Sequence, residues 1–245
     1  MDNNNEFLDN FKRLEDKLVI ISGLKGDFVS FSRALDKVHY SKLNPVVSDK
    51  EVYQTLKTAA DIRNILSHES NACLPTNDFV KKFDLLVEEI INPLEAYDIA
   101  TKKSEMLMAK LSYPVSDVVK EMTARGLTHV PVVEDDQVIG VFSRSTFFEF
   151  YAQNGKIDVN GEHFIKDFVK VTPLNKHGNE SYAFTARKTK AYNLIKLLGK
   201  DKPDSKRIGC IFVTESGNSK EKLLGVISEV DLLKLPIYER RRRSN

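Results

Sequence analysis

Cysteine is scarce in this chain. The two present, Cys73 and Cys210, lie far apart and match no metal or redox spacing, which argues against a disulfide framework or a thiolate metal cluster. Long apolar runs are missing too. The longest purely aliphatic stretch, Leu18 to Ile21, is far short of a membrane span. The start, Met1 to Glu6, is polar and lacks the basic and apolar regions of a signal peptide. Nor does one sign of charge dominate: 37 Lys and Arg stand against 35 Asp and Glu. These absences point to a soluble, cytoplasmic protein of a reducing compartment with no membrane partner.

What is present fits a folded chain. A hydrophobic content of 41% with 29% charged residues excludes wholesale disorder. A length of 245 residues suits one large domain or two ordinary ones. Charge divides unevenly along it. Residues 1–108 carry 14 basic against 18 acidic side chains, and residues 109–245 carry 23 against 17. Part of that excess is the run Arg240 to Arg243, read as a solvated tail because no aromatic residues interleave it.

The first hundred residues have helical spacing. Phe7, Leu8, Phe11, Leu14, Leu18 and Ile21 mark one helix that Gly23 and Gly26 end. Phe28, Phe31, Leu35 and Val38 mark a second, broken at Asn44-Pro45. Ser48 with Glu51 has the spacing of a capping box opening a third, which runs to His68. Asp78 opens a fourth through Phe79, Phe83, Leu86 and Ile90, with Pro93 near its end. Together these predict a helical bundle. On the third helix Ala59, Ile62, Ile65 and Leu66 form the expected apolar arc, with Arg63, Asn64, Ser67 and His68 opposite it.

Beyond Met108 short β-branched runs alternate with helical segments. His129–Glu134, Val138–Ser143, Ile208–Thr214 and Leu224–Ser228 read as strands. They belong to an internal repeat: one unit spans 115–150, the other 189–235. Residues 173–180 read as a polar connection. Gly140-Val141-Phe142-Ser143 and Gly225-Val226-Ile227-Ser228 fall at corresponding places. A glycine at the strand end lets a ligand approach the backbone, a serine beside free N–H groups suits a phosphate, and Asp231 can accept from a ribose diol. The same Ser228 and Asp231 also have the spacing of a helix N-cap and its N3 acid, so the motif admits either role.

The repeat resembles a tandem pair of CBS domains, or Bateman module, on His129 to Val133, on the two Gly-initiated segments, and on the sequence ending in Asp231. The resemblance implies an α+β chain: a helical bundle over 1–108, a tandem CBS pair over 109–236 and a basic tail over 237–245. It implies an adenine nucleotide (AMP, ADP or ATP) as regulatory ligand, with S-adenosylmethionine or a cyclic dinucleotide as further candidates, and no metal. Asp231 would meet the ribose, Ser228 with Lys206 and Arg207 the phosphates, and Thr185 would border the purine. Ser143, His129 and Arg144 would supply the opposing edge. In the first unit Thr146 replaces the aspartate, so that half-site is expected to be weak. Gly209 departs from the Pro131 of the first repeat.

The helical half is similar to the HEPN family on Arg63-Asn64-Ile65-Leu66-Ser67-His68. That family's Arg-x4-His motif implies a metal-independent ribonuclease, with His68 as general acid or base, Arg63 stabilising phosphorane charge and Asn64 as its polar neighbour. A homodimer and an RNA partner are implied with it. The alternative is a non-catalytic bundle serving dimerisation or partner binding; the acidic charge of this half is a poor platform for RNA phosphates.

Overall fold

The computed structural model describes residues 3–68, 75–156, 163–175, 177, 180–198 and 206–235. Cys73, the Arg240–Arg243 tail and the side chain of His68 lie outside the described residues. The chain divides into two compact units between Leu94 and Glu95.

The first unit holds α1 (Asn3–Ser22), α2 (Phe31–Tyr40), α3 (Lys50–His68) and α4 (Asn77–Ile91). α1 packs against each of the other three. Phe7, Phe11, Leu14 and Leu18, spaced at three or four residues, form its buried stripe. Phe7 meets Phe83 of α4 at 5.0 Å between ring centroids, and Phe11 meets Phe31 of α2 at 4.5 Å. Side-chain oxygens set the helix starts. Ser30 accepts from Arg33 N, and Thr76 from Phe79 N at 3.2 Å. Phe28, expected on the second helix, precedes it and is 82% exposed.

Two expectations for α3 need correction. Its cap is Asp49, whose carboxylate accepts from Glu51 N at 3.0 Å and Val52 N at 3.2 Å. Ser48 instead turns back, its hydroxyl donating to Asn44 O at 2.7 Å. The buried stripe is also rotated from the one expected. Val52, Leu56, Ala59 and Leu66 are buried, whereas Ile65 is 47% exposed. At ~100° per residue Arg63 lies only ~40° from Ala59, which places it on this buried face rather than opposite it.

The second unit opens with α5 (Ala96–Ile99) and β1 (Thr101–Lys102), then α6 (Val115–Ala124), β2 (His129–Glu134), β3 (Gln137–Ser143) and α7 (Arg144–Asn154). A 3-10 turn at Ile165–Phe168 leads to β4 (Glu180–Ala186), a 3-10 turn at Ala191–Leu194, α8 (Ile195–Leu198), β5 (Arg207–Thr214) and β6 (Gly225–Ile227). The last element, Glu229–Lys234, is a 3-10 helix rather than the α-helix expected. β2 and β3 form an antiparallel hairpin through Asp135 and Asp136, both at positive φ (48° and 67°) as a two-residue turn of this hand demands. The second sheet has the order β1-β6-β5-β4, with β4 parallel to β5 and the other pairs antiparallel.

Alternation along β2 and β3 gives each face its own core. Val130, Val132 and Phe142 pack under Val118, Met122 and Phe168. Val133, Val138 and Val141 face Cys210, Phe212 and Leu223, joining the hairpin to the second sheet. β4 lies partly in the stretch read as a polar connection. Its residues are only half-buried apart from Thr185, so no strong apolar alternation marks it.

The unit begins at Glu95, before the composition change at Met108, because residues 95–103 are bound into the second sheet. Ala96 N donates to Thr189 O at 2.7 Å, Tyr97 N to Arg187 O at 3.1 Å and Lys103 N to Leu224 O at 3.0 Å. This crossing gives the signature glycines a role other than the ligand approach expected of them. A Cβ on Gly225 would stand 2.9 Å from Ala100 Cβ and 3.0 Å from Thr101 O. One on Gly140 would stand 2.6 Å from Thr172 O. Each glycine admits the close approach of a neighbouring segment of this chain.

Candidate functional site

Ser228 follows β6, and the 3-10 turn after it brings Asp231 back beneath it. Asp231 Oδ2 accepts from Ser228 N and from Ser228 Oγ, both at 2.9 Å. Oδ1 accepts from Lys234 Nζ at 3.0 Å. Asp231 is 8% exposed. The pair therefore closes as a capping arrangement in this structure, and the same carboxylate is the group a ribose diol would need.

The first repeat closes its corresponding corner as well, and buries it more deeply. Ser143 N donates to Thr146 Oγ1 at 3.0 Å, and Thr146 N donates to Ser143 Oγ at 3.3 Å. Thr146 is fully buried and Ser143 nearly so. A hydroxyl consumed in this way has no lone pair facing solvent. Arg144, beginning α7, lines a recess of about 210 Å³ with Val119, Met122, Leu127, Phe147 and Phe148. Its lining is apolar, unlike a phosphate site.

The remaining basic side chains each have a partner in the chain. His129 Nε2 lies 2.9 Å from Glu180 Oε2, so it is paired with a carboxylate rather than forming an unopposed cationic edge. Arg207 bonds Glu229 at 3.0 Å, and Lys206 Nζ donates to His177 O at 2.6 Å. Thr185 is 6% exposed and pairs with Val213 in the sheet register, near the opposite end of β4 from Glu180. The structure thus gathers Lys206, Arg207, Ser228 and Asp231 at one end of β5 and β6, with His129 beside β4. Thr185 lies toward the other end of β4, and Arg144, whose amide donates to Thr128 O at 3.3 Å next to His129, lines the apolar recess.

Glu180, Tyr182 and His177 complete this end, and nothing in the sequence pattern singled them out. The Tyr182 hydroxyl donates to Glu180 Oε2 at 3.2 Å, and its ring meets His177 edge-on at 4.9 Å. Burial, and then the nearby Glu180 charge, push the Tyr182 phenol and the Cys210 thiol well above their usual ranges. Gly209 makes the arrangement possible: a Cβ there would sit 2.9 Å from His129 Nε2 and 3.1 Å from Tyr182 Cε1. The departure from Pro131 in the first repeat was the available signal.

On α3, Arg63 lies 3.6 Å from Glu15 and 5.4 Å from the centre of the Phe11 ring, and its Nη1 donates to Asn64 Oδ1 at 3.2 Å. Both Glu15 and Phe11 belong to α1, so Arg63 joins two helices of the bundle. The His68 side chain, lying outside the described residues, adds no geometry to the expected pair. Among the described residues no group of three or more His, Cys, Asp or Glu side chains is placed to hold a metal. No described helix is long and apolar enough to cross a membrane.

Residues 96–153 match the CBS domain family. Their match begins at α5, as the packing boundary does, and covers α6, β2, β3 and most of α7. No curated protein matches the chain. Among solved structures, a putative acetoin utilization protein from Vibrio cholerae is similar at 16% identity and a TM-score of 0.43, covering 62% of this chain and 96% of that one. CBSX2 in complex with AMP is similar at 17% identity and a TM-score of 0.43, covering 60% and 98%. A putative signal-transduction protein with CBS domains from Burkholderia ambifaria gives 16%, 0.43, 60% and 96%. The chain is thus a mixed α+β protein with a helical N-terminal region and a CBS domain over residues 96–153.

Proposed function

We propose that the unit from Glu95 onward is a nucleotide-sensing regulatory module, built as a CBS pair, that takes an adenosyl ligand at Asp231. The observation that carries this is the buried Asp231 carboxylate ending the Gly225-to-Asp231 signature, with Lys206 and Arg207 at the same strand ends. A carboxylate there can accept two diol hydrogen bonds, and the two cations can offer charge-assisted bonds to a phosphate. Glu180 lies beside His129, and Glu229 already opposes Arg207. This charge balance favours a ligand of low charge, such as AMP, over ATP. S-adenosylmethionine, ADP and cyclic dinucleotides are the comparison ligands.

The helical unit is the output of this module, and its non-catalytic form is supported by Arg63, which is committed to Glu15 and Phe11. The HEPN-type ribonuclease reading, with an RNA substrate and a homodimer, rests on the Arg63-to-His68 spacing. Isothermal calorimetry with AMP tests the ligand reading. Asp231→Ala is expected to weaken binding by about 1.5–3 kcal/mol, the scale of hydrogen bonds to a charged group. Equal affinity in the variant would remove Asp231 from the site.

A further inference from the structure

Asp231 already accepts three hydrogen bonds of the roughly four that a carboxylate can take. Oδ2 is held by the Ser228 amide and hydroxyl, which belong to the same turn. Oδ1 is held by Lys234, whose side chain is 52% exposed and reaches over from three residues on. The same ammonium donates to Ile99 O at 2.7 Å. Ile99 is the last residue of α5, and β1 comes soon after it, registered on β6 through Thr101 opposite Val226 and Lys102 opposite Gly225. Lys234 is therefore a bridge between the carboxylate of the signature and the backbone of the segment that opens the second unit.

A half-exposed lysine on a flexible stem is displaced more readily than the part-buried Ser228 contacts, which lie within the same turn. A ribose diol brings two hydrogen bonds to Asp231 and finds about one open acceptor position, on Oδ1, so the second bond must displace Lys234. Once displaced, the ammonium also leaves the Ile99 carbonyl. The other fastenings of this segment do not pass through Asp231: Lys190 holds Glu95 at 3.0 Å, and the amides of Ala96 and Tyr97 bond Thr189 O and Arg187 O. Loss of the Lys234 bond would consequently loosen the segment at Ile99 while leaving its start attached.

We propose that Lys234 is an intramolecular competitor for the ligand at Asp231, and that ligand binding is transmitted through its release to the Ile99 end of residues 95–102. The proposal rests on the reading that Asp231 takes the ligand. It assigns the chain an autoinhibitory contact whose opening alters the segment that directly succeeds the helical unit in the chain. The exchange requires no covalent step, and the driving force is the difference in affinity of ligand for the open and closed arrangements.

The test uses the full chain and AMP, with calorimetry and amide hydrogen exchange followed over residues 95–103. Lys234→Met is expected to tighten AMP binding about fivefold, the scale of a half-exposed ion pair, and to speed exchange near Ile99 without ligand. The wild type should reach similar exchange only when AMP is bound. Lys234→Arg keeps the charge and should behave as the wild type, which separates lost competition from a damaged fold. AMP binding that depends on Asp231, but with unchanged affinity in Lys234→Met and no ligand-dependent exchange at 95–103, overturns the proposal alone. No AMP binding by the wild type removes the ligand reading and the proposal together.

Discussion

The sharpest consequence of the crossing segments concerns Gly140. An alanine Cβ there would stand 2.6 Å from Thr172 O and 3.3 Å from Thr172 Cβ. Ordinary contact begins near 3.4 Å, and the obstructing atom is backbone, so no rotamer change relieves it. The neighbouring Val141 amide donates to this same carbonyl at 2.9 Å. Retreat of Thr172 therefore strains or breaks a bond worth about 0.5–1.5 kcal/mol. Overpacking adds about 1–3 kcal/mol. Replacing glycine restricts the unfolded chain and returns about 0.4–1 kcal/mol, which is too small to win. Gly140→Ala should thus destabilise the second unit by about 1–3 kcal/mol, read from urea denaturation. Gly225→Ala should cost less, because its tightest contact is the Ala100 methyl and Thr101 O lies at 3.0 Å. A neutral Gly140→Ala, or a reversed order of the two, would show that these glycines answer to something other than the crossing chain.

Three further outcomes are expected of the same structure. Cys210 and Tyr182 have folded pKa values raised above their ordinary values of 9.0 and 10.0, so their contribution is complete below those values and declines above about pH 9 as the unfolded chain ionises first. Cys210→Ala should flatten the fall in stability between about pH 9 and 10, and identical slopes in both proteins would contradict the assignment. Asp49→Ala should cost the helical unit about 1 kcal/mol while Ser48→Ala costs less, since Asp49 accepts the first amides of α3; thermal melts rank the two. If His68 and Arg63 are catalytic, RNA is cut in the presence of a chelator, leaving 2′,3′-cyclic phosphate ends, and His68→Ala slows it at least ~10²-fold. Arg63→Ala must be read beside a stability measurement, because Arg63 packs over Phe11.

Sequence alone determined the elements whose information is local. The aromatic and aliphatic spacing of α1 and α4, the Asp135-Asp136 hairpin and the repeated Gly-to-Ser segments are legible because side-chain period and turn chemistry act within a few residues. Tertiary structure decided what each face meets. Arg63 lies over Phe11, a residue of another helix, and only packing revealed which arc of α3 is buried. β4 became a strand through its parallel pairing with β5 rather than through its own pattern. His129 and Glu180 are 51 residues apart and meet beside Gly209, where a Cβ would crowd the His129 ring. That Gly140 and Gly225 lie against Thr172 and Ala100 is likewise a fact of packing that no local pattern records. A sequence records which groups a position can tolerate, and only the folded chain determines which group arrives there.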